Sequence, residues 1–433
     1  MERSLNTSAP IKLALAYSLI TVILYEFGPY SFPSINKGLL YLFLFACNLA
    51  IYAGFKSGAS SYKLRPERRV NINRLMKILT IIAVIVCIPK FIIYTGFYSN
   101  PLGKITYGVS AFLSGMSDQL YMARQELHNA VGIWRYINYG IILLGPVHWA
   151  FIPLSLYFWK RLGGIQKVCA IIVYTVYLLQ YICTGTNVGI FDFIITFFVV
   201  RIIKKRFENN AITKKKNPKK TRNIVLIIIG VFAVLYAFDF VMGSRIGDKT
   251  GSVPIGGSNA YLDKNSFLYV ITPNALKPVL LYLTRYLSLP YHALSLSFDV
   301  PFDSTFGVGY SWFLLDNMPF SKELWERTYM MKMEGMFNYS HWASWHTAYL
   351  WFANDVSHIG VPIVLFILCK VFGTAWRRFI TSGCIVSLLQ FLLFVKFVLF
   401  ISENNQVFQA SDHLFAFWIL LLLSNNHRYT YSW

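Results

Sequence analysis

The sequence predicts an all-α fold, a polytopic transmembrane helix bundle of about ten spans, and three observations carry that prediction. Hydrophobic residues make up 56% of the 433 and charged residues only 14%, a balance that a soluble domain of this size does not need. Apolar runs of roughly 20 residues, the length a helix needs to cross about 30 Å of hydrocarbon, recur along the chain. Lys and Arg are concentrated in alternate connections between those runs, the pattern that orients a protein in a membrane.

The runs cover 11–27, 38–55, 75–97, 134–158, 166–183, 186–203, 223–242, 346–371, 381–402 and 412–424. The first begins at Ile11 and is followed by no small-residue cleavage signature, so it reads as a retained first helix rather than a signal peptide. Between the third and fourth runs, Ile105, Val109, Phe112, Leu113 and Met116 have helical spacing and suit an amphipathic surface helix. A tight turn, Thr184-Gly185-Thr186-Asn187, joins the fifth run to the sixth. The seventh opens into a long segment, 243–345, rich in Gly, Pro, Asp and aromatics. Its apolar stretch 275–298 contains Lys277, Pro278, Arg285, Pro290 and His292, too polar and too broken for a lipid-facing span, and reads as re-entrant or interfacial helices docked on the bundle. The tenth run is short and must start among the polar residues before it.

Charge sets the topology. Lys56 to Arg74, Lys160 to Lys167, the cluster from Arg201 to Arg222, and Arg377 with Arg378 form the basic set, expected in the cytoplasm with both termini. The other set comprises 28–37, 98–131, the 184–187 turn, 243–345 and 403–411, and is expected outside. The net charge of +21 is thus explained by membrane orientation and not by nucleic acid. Cys47, Cys87, Cys169, Cys183, Cys369 and Cys384 all lie in or beside apolar runs, so neither a disulfide framework nor a thiolate metal site is expected. No repeat of fixed period is visible, and the reading is one membrane domain over 1–433 with the 243–345 loop carrying the site.

The chain has no P-loop, no Gly-rich dinucleotide fingerprint and no GxSxG elbow, which argues against ATP-driven transport and serine hydrolysis. It also lacks an Asp-x-Asp pair, so a metal-held nucleotide-sugar donor is disfavoured. Asp355 and His358, three apart on a helix, have no third partner in sequence for a metal; no metal and no cofactor is expected.

The 243–345 segment gathers charges that a purely structural loop does not require. Arg245 follows the seventh run at the interface, where snorkelling is the simpler reading. Arg285 lies within the apolar stretch Leu280 to Leu289, where a guanidinium needs an anion facing it, either an internal carboxylate or a ligand phosphate. His346 opens the eighth run, with Tyr349 and Ala353 near the same face. The aromatics Tyr310, Trp312, Trp325, Tyr329, Trp342 and Trp345 suit either sugar stacking or, for most of them, the membrane interface. Lys396 and Glu26, ionisable residues within spans, keep a transport reading open.

Three local features resemble the O-antigen polymerases and the related O-antigen ligases. Cys183-Thr184-Gly185-Thr186-Asn187-Val188-Gly189-Ile190 is similar to a tight external turn of that group, with Asn187 where a basic residue is common. The loop bearing Arg245 and Arg285 looks like the loop whose arginines hold a carrier pyrophosphate. His346, Tyr349, Leu350 and Gly360 look like the ligase His-x-x-Tyr-Leu pattern and downstream Gly, with Asp355 at a frequently acidic position and Ser357 where a glycine often sits. The resemblance implies an inverting, metal-independent glycosyl transfer from undecaprenyl-pyrophosphate-linked oligosaccharide on the periplasmic face of a bacterial inner membrane. It implies Arg245 and Arg285 at the leaving group, His346 on the acceptor hydroxyl, Tyr349 and Asp355 at the substrate, and a chain-length regulator as partner. A ligase acting on lipid A core, or a lipid-linked oligosaccharide flippase, are the alternatives.

Overall fold

The computed structural model describes residues 8–61, 65–97, 101–126, 132–209, 260–341 and 344–431. They are mostly helical, with longer helices α1 (Ala9–Phe27), α2 (Lys37–Ser60), α3 (Ile72–Thr95), α4 (Pro101–Leu113), α5 (Ser117–Glu126), α6 (Ile133–Tyr157), α7 (Gly164–Cys183), α8 (Val188–Asn209), α9 (Lys277–Leu296), α10 (Ala348–Ser382), α11 (Ile385–Phe400) and α12 (Ser411–Asn426). Among the described residues six helices, α1, α2, α3, α6, α7 and α10, are long and apolar enough to cross a membrane, which makes this a multi-pass membrane protein.

The expected total of ten spans is met only in part. The runs at 186–203, 381–402 and 412–424 are helices α8, α11 and α12, but α8 ends in Arg201, Lys204, Lys205 and Arg206, while α11 and α12 have 16 residues each. At 1.5 Å per residue 16 residues reach about 24 Å, short of the hydrocarbon thickness. The run at 223–242 lies outside the described residues, as does Arg245.

The chain divides into two compact units, residues 70–249 and the remainder. In the first, α3 packs on α6 and α7, and α4 lies on α7 where Gly108 leaves no room for a Cβ against Cys183. The amphipathic segment predicted at 98–131 is α4 followed by α5. The 184–187 turn is closed by the Thr184 hydroxyl, which donates to the Gln180 carbonyl at 2.9 Å, and by Gly185 with a φ of 61°.

The second unit is built on α2 and α10, its most extensive helix pair. Gly54 and Gly58 of α2 bring the backbones together: a Cβ at Gly54 would stand 2.3 Å from the Phe366 carbonyl oxygen, and one at Gly58 1.9 Å from that of Lys370. Both numberings rise together, so α2 and α10 run parallel through a GxxxG-type contact, where close approach replaces the hydrophobic drive missing in lipid. Two small sheets mark the ends of this unit. β1 (Tyr30–Ser31), after α1, pairs antiparallel with β3 (Tyr261–Leu262); β2 (Glu67–Arg69), after α2, pairs parallel with β4 (Arg428–Thr430).

Helix α9 lies across the β1–β3 end. Gly28, at the end of α1, meets Thr284, while the Asn36 amide, just before α2, donates to the Ser295 carbonyl at 3.3 Å. Every residue from Leu287 to Ser297 is buried. The apolar stretch with too many polar residues for lipid is therefore a helix capped onto protein. Helix α10 also differs from expectation, continuing past the predicted end to Ser382. Arg378, expected in a loop, is a buried helical residue whose guanidinium donates to the Ser424 carbonyl of α12 at 2.7 Å.

Candidate functional site

The β1–β3 end of the second unit gathers the sequence-predicted residues that the structure describes. Arg285, two turns into α9, is half-buried and makes no hydrogen bond or ion pair among the described residues. Its charge acts on the hydroxyl of Tyr339, which is fully buried and donates to the Trp345 carbonyl at 3.3 Å. Burial pushes that phenol up, and the Arg285 guanidinium partly offsets the rise. The His346 ring also packs edge to face on Tyr339, 5.5 Å away between ring centroids. Arg285 and His346, 61 residues apart in sequence (346 minus 285), thus meet the same tyrosine.

His346 precedes α10 and is only 3% exposed. Neither ring nitrogen has a close hydrogen-bond partner among the described residues, and only the His341 backbone favours the protonated ring. Burial dominates, aided by the His341 ring, and pushes the imidazole down to about 3, so it is neutral across the physiological range. A buried ring with two unused polar atoms is costly unless a ligand or water meets them.

The four residues after Thr347 bury completely or nearly so, and Thr347 caps the helix by accepting the Leu350 N–H at 3.2 Å. Tyr349 is fully buried against Phe43, with its hydroxyl beside Ser18. Asp355 is used differently. Its carboxylate accepts the Thr305 hydroxyl and the N–H groups of Gly307, Gly309 and Tyr310, the last three at 2.9 Å each. Three of these donors meet Oδ1 and one meets Oδ2, and together they hold the 304–310 loop. Asn354 completes the grip, accepting the Tyr329 N–H at 2.9 Å and donating to the Gly309 carbonyl at 3.1 Å.

Sequence reasoning missed Asn354, although an Asn-Asp pair inside an apolar helix was the signal available. It also missed the surroundings of His358, whose ring accepts from or donates to the Ser297 hydroxyl at 2.8 Å among Phe298, Tyr329 and Phe43. Between these two sites Ser357 breaks α10 with φ 60° and ψ 168°, a backbone that glycine tolerates and serine rarely adopts. No group of three His, Cys, Asp or Glu residues that could hold a metal occurs among the described residues.

A second polar cluster lies beneath α9. Tyr17 of α1 donates to the Leu399 carbonyl at 2.8 Å, and Thr21 shares a 2.8 Å hydrogen bond with Tyr291. Both tyrosines sense the half-buried carboxyl of Glu403 and lie near Ser402. The Glu403 carboxyl has no hydrogen bond or ion pair among the described residues, and burial pushes it up to about 8. The Ala348 N–H donates to the Ile401 carbonyl at 3.0 Å, so the chain carrying Glu403 runs beside the chain carrying His346.

The two features that favoured transport fall in different places. Glu26 ends α1 in an exposed pair with Lys37 at 3.4 Å. Lys396 is buried within α11, 2.8 Å from His413, whose other ring nitrogen meets Asp412 at 3.2 Å. Trp312 and Trp325 aim their indole N–H groups at the two oxygens of Asp316 and stand 5.0 Å apart, edge to face.

No family model, curated protein or solved structure matches the chain.

Proposed function

We propose that this chain is a bacterial inner-membrane glycosyltransferase of about ten spans that joins polyprenyl-pyrophosphate-linked oligosaccharide repeat units into an O-antigen-type polysaccharide. The observation that carries the reading is Arg285. A half-buried guanidinium normally finds a carboxylate, and this one has none among the described residues. Of the two anions that the sequence leaves open for it, the absence of a carboxylate partner among the described residues supports the ligand phosphate. A planar, bidentate donor suits pyrophosphate oxygens, whose charge grows as the glycosyl bond breaks. His346, with two unused ring nitrogens, orients the acceptor hydroxyl. The Trp312–Trp325 corner beside Asp316 offers aromatic faces to sugar rings.

The transfer is inverting and needs no metal in this reading. The acceptor oxygen attacks the anomeric carbon while the pyrophosphate leaves with the bonding pair. The 243–345 segment, with the β1–β3 end, faces the periplasm, and the basic connections face the cytoplasm. Acceptor identity separates polymerase from ligase, and the polymerase is preferred. One observation favours a second class: the buried Lys396–His413–Asp412 chain is the kind of intramembrane relay that transporters use.

Lipopolysaccharide gels from a strain lacking the chain, complemented with wild type or Arg285→Ala, test the reading. A polymerase defect leaves single repeat units on the lipid core, a ligase defect leaves bare core, and a flippase defect traps carrier-linked units inside. A full ladder of long chains in the deletion strain would end the proposal.

A further inference from the structure

The transfer just described requires a base for the acceptor proton, and electrostatics disfavours His346 for that task. Accepting a proton would create an imidazolium in a site that is 3% exposed, with the Arg285 charge already acting on the neighbouring Tyr339. The new charge would form in a buried site with no carboxylate paired to the ring among the described residues, which is unfavourable. A carboxylate has the opposite sign of effect. When it takes a proton in such surroundings, a charge disappears rather than forms.

We propose that Glu403 is the general base of this site and takes the proton from the acceptor hydroxyl, while His346 only orients that hydroxyl. The inference rests on the glycosyl-transfer reading and names a catalytic residue within it. Three structural facts carry it. Glu403 is half-buried, and among the described residues neither cation nor hydrogen-bond donor is spent on its carboxyl, so its oxygens are available. It follows Ile401, whose carbonyl holds the Ala348 N–H at 3.0 Å, which fixes the Glu403 turn beside the His346 approach to α10. Its surroundings are hydroxylic: Tyr17 from α1, Tyr291 from α9, and Ser402 from its own turn. Ser402, Ser18 and Tyr349 add buried hydroxyls to the same region, the kind of lining that a sugar hydroxyl satisfies.

The balance is simple. The acceptor O–H bond breaks and its proton goes to a Glu403 oxygen; the acceptor oxygen forms the new bond to the anomeric carbon. The bond from that carbon to the pyrophosphate breaks, and the electron pair leaves with the pyrophosphate, beside Arg285. Glu403 then returns the proton to solvent.

Membrane vesicles from the complemented deletion strain, holding its own lipid-linked repeat units, allow the rate of chain extension to be read directly. Glu403→Gln should slow extension by about 10² to 10⁴ at unchanged protein abundance, whereas His346→Gln, which keeps hydrogen bonding, should lose less than about tenfold. Glu403→Ala should regain at least about tenfold when sodium formate supplies a small carboxylate, a rescue that a merely structural role would not allow. Glu403→Gln at wild-type rate, or Glu403→Ala indifferent to formate, overturns the assignment. An Arg285→Ala variant run in parallel separates the two claims. If it extends chains normally, the transfer reading itself falls and takes the base with it; if it is dead while Glu403→Gln is active, only the base assignment falls.

Discussion

The Gly309 N–H donates to the Asp355 carboxylate at 2.9 Å across 46 residues of chain, and three further donors converge on the same group. Gly309 is required at that point, because a Cβ there would stand 2.0 Å from the Thr305 hydroxyl oxygen. A residue that the family resemblance suggests for substrate thus also holds its own chain in place. Asp355→Asn puts an NH₂ group against backbone N–H donors, and hydrogen bonds to charged acceptors contribute about 1.5–3 kcal/mol each. The variant should lose about 2 kcal/mol or more of stability, seen as a lower melting temperature in detergent. An unchanged melting temperature would mean that the loop does not depend on this carboxylate.

Ser357 offers the opposite test. Its φ of 60° with ψ of 168° belongs to a region that costs a non-glycine residue about 1–3 kcal/mol. Ser357→Gly should raise the melting temperature, while Ser357→Ala, which keeps the Cβ, should not. Equal effects from both would assign the change to the hydroxyl and not to the backbone.

The fold was legible where hydropathy alone decides. The runs at 38–55 and 134–158 became α2 and α6 with ends displaced by five residues or fewer. Prediction failed where burial in protein replaces burial in lipid. Arg377 and Arg378 signalled a loop, yet α10 continues through them because the Arg378 charge is spent on a carbonyl of α12. The stretch 275–298 was recognised as unlike a span, but its contacts with the α1–α2 connection are tertiary and leave no period in the sequence. In the candidate site, Arg285 and His346 were found one at a time. Their meeting at Tyr339 could not be read from sequence, because Tyr339 carries no motif. Glu403 escaped notice for a related reason: a lone Glu after an apolar run reads as an ordinary loop residue until its lack of partners is seen.

The α2–α10 contact depends on two glycines, and a side chain at Gly58 would enter the backbone of α10. Gly58→Leu should separate the helices and reduce the folded protein recovered from membranes severalfold, with Gly38→Leu, which faces open space, as the control. Wild-type recovery of Gly58→Leu would show that the helices can part without cost.

His346 makes stability depend on pH in a calculable direction. Its folded value lies near 3, below the ordinary 6.5, so between those limits the unfolded chain binds the proton and the folded chain does not. Stability therefore falls as the pH drops below 6.5 and levels off near 3, with a slope of at most about 1.4 kcal/mol per pH unit from this residue. His346→Gln should flatten that part of the profile. If wild type and variant lose melting temperature in parallel from pH 6.5 to 4.5, the ring is not held neutral in the folded state.

Arg285 decides most, because two roles for it predict different failures. A structural arginine would have a carboxylate partner, and its loss would strand that partner and remove the protein from the membrane. Arg285 has no such partner among the described residues, so Arg285→Ala should leave abundance intact while abolishing chain extension. Arg285→Lys tests geometry against charge. An ammonium keeps the charge but loses the planar pair of donors that matches two phosphate oxygens, so it should recover less than about a tenth of the lost activity. Near-complete recovery by lysine would indicate a general electrostatic contribution in place of a held pyrophosphate. Loss of Arg285→Ala from the membrane would assign the residue to folding, and the pyrophosphate site would have to be sought elsewhere.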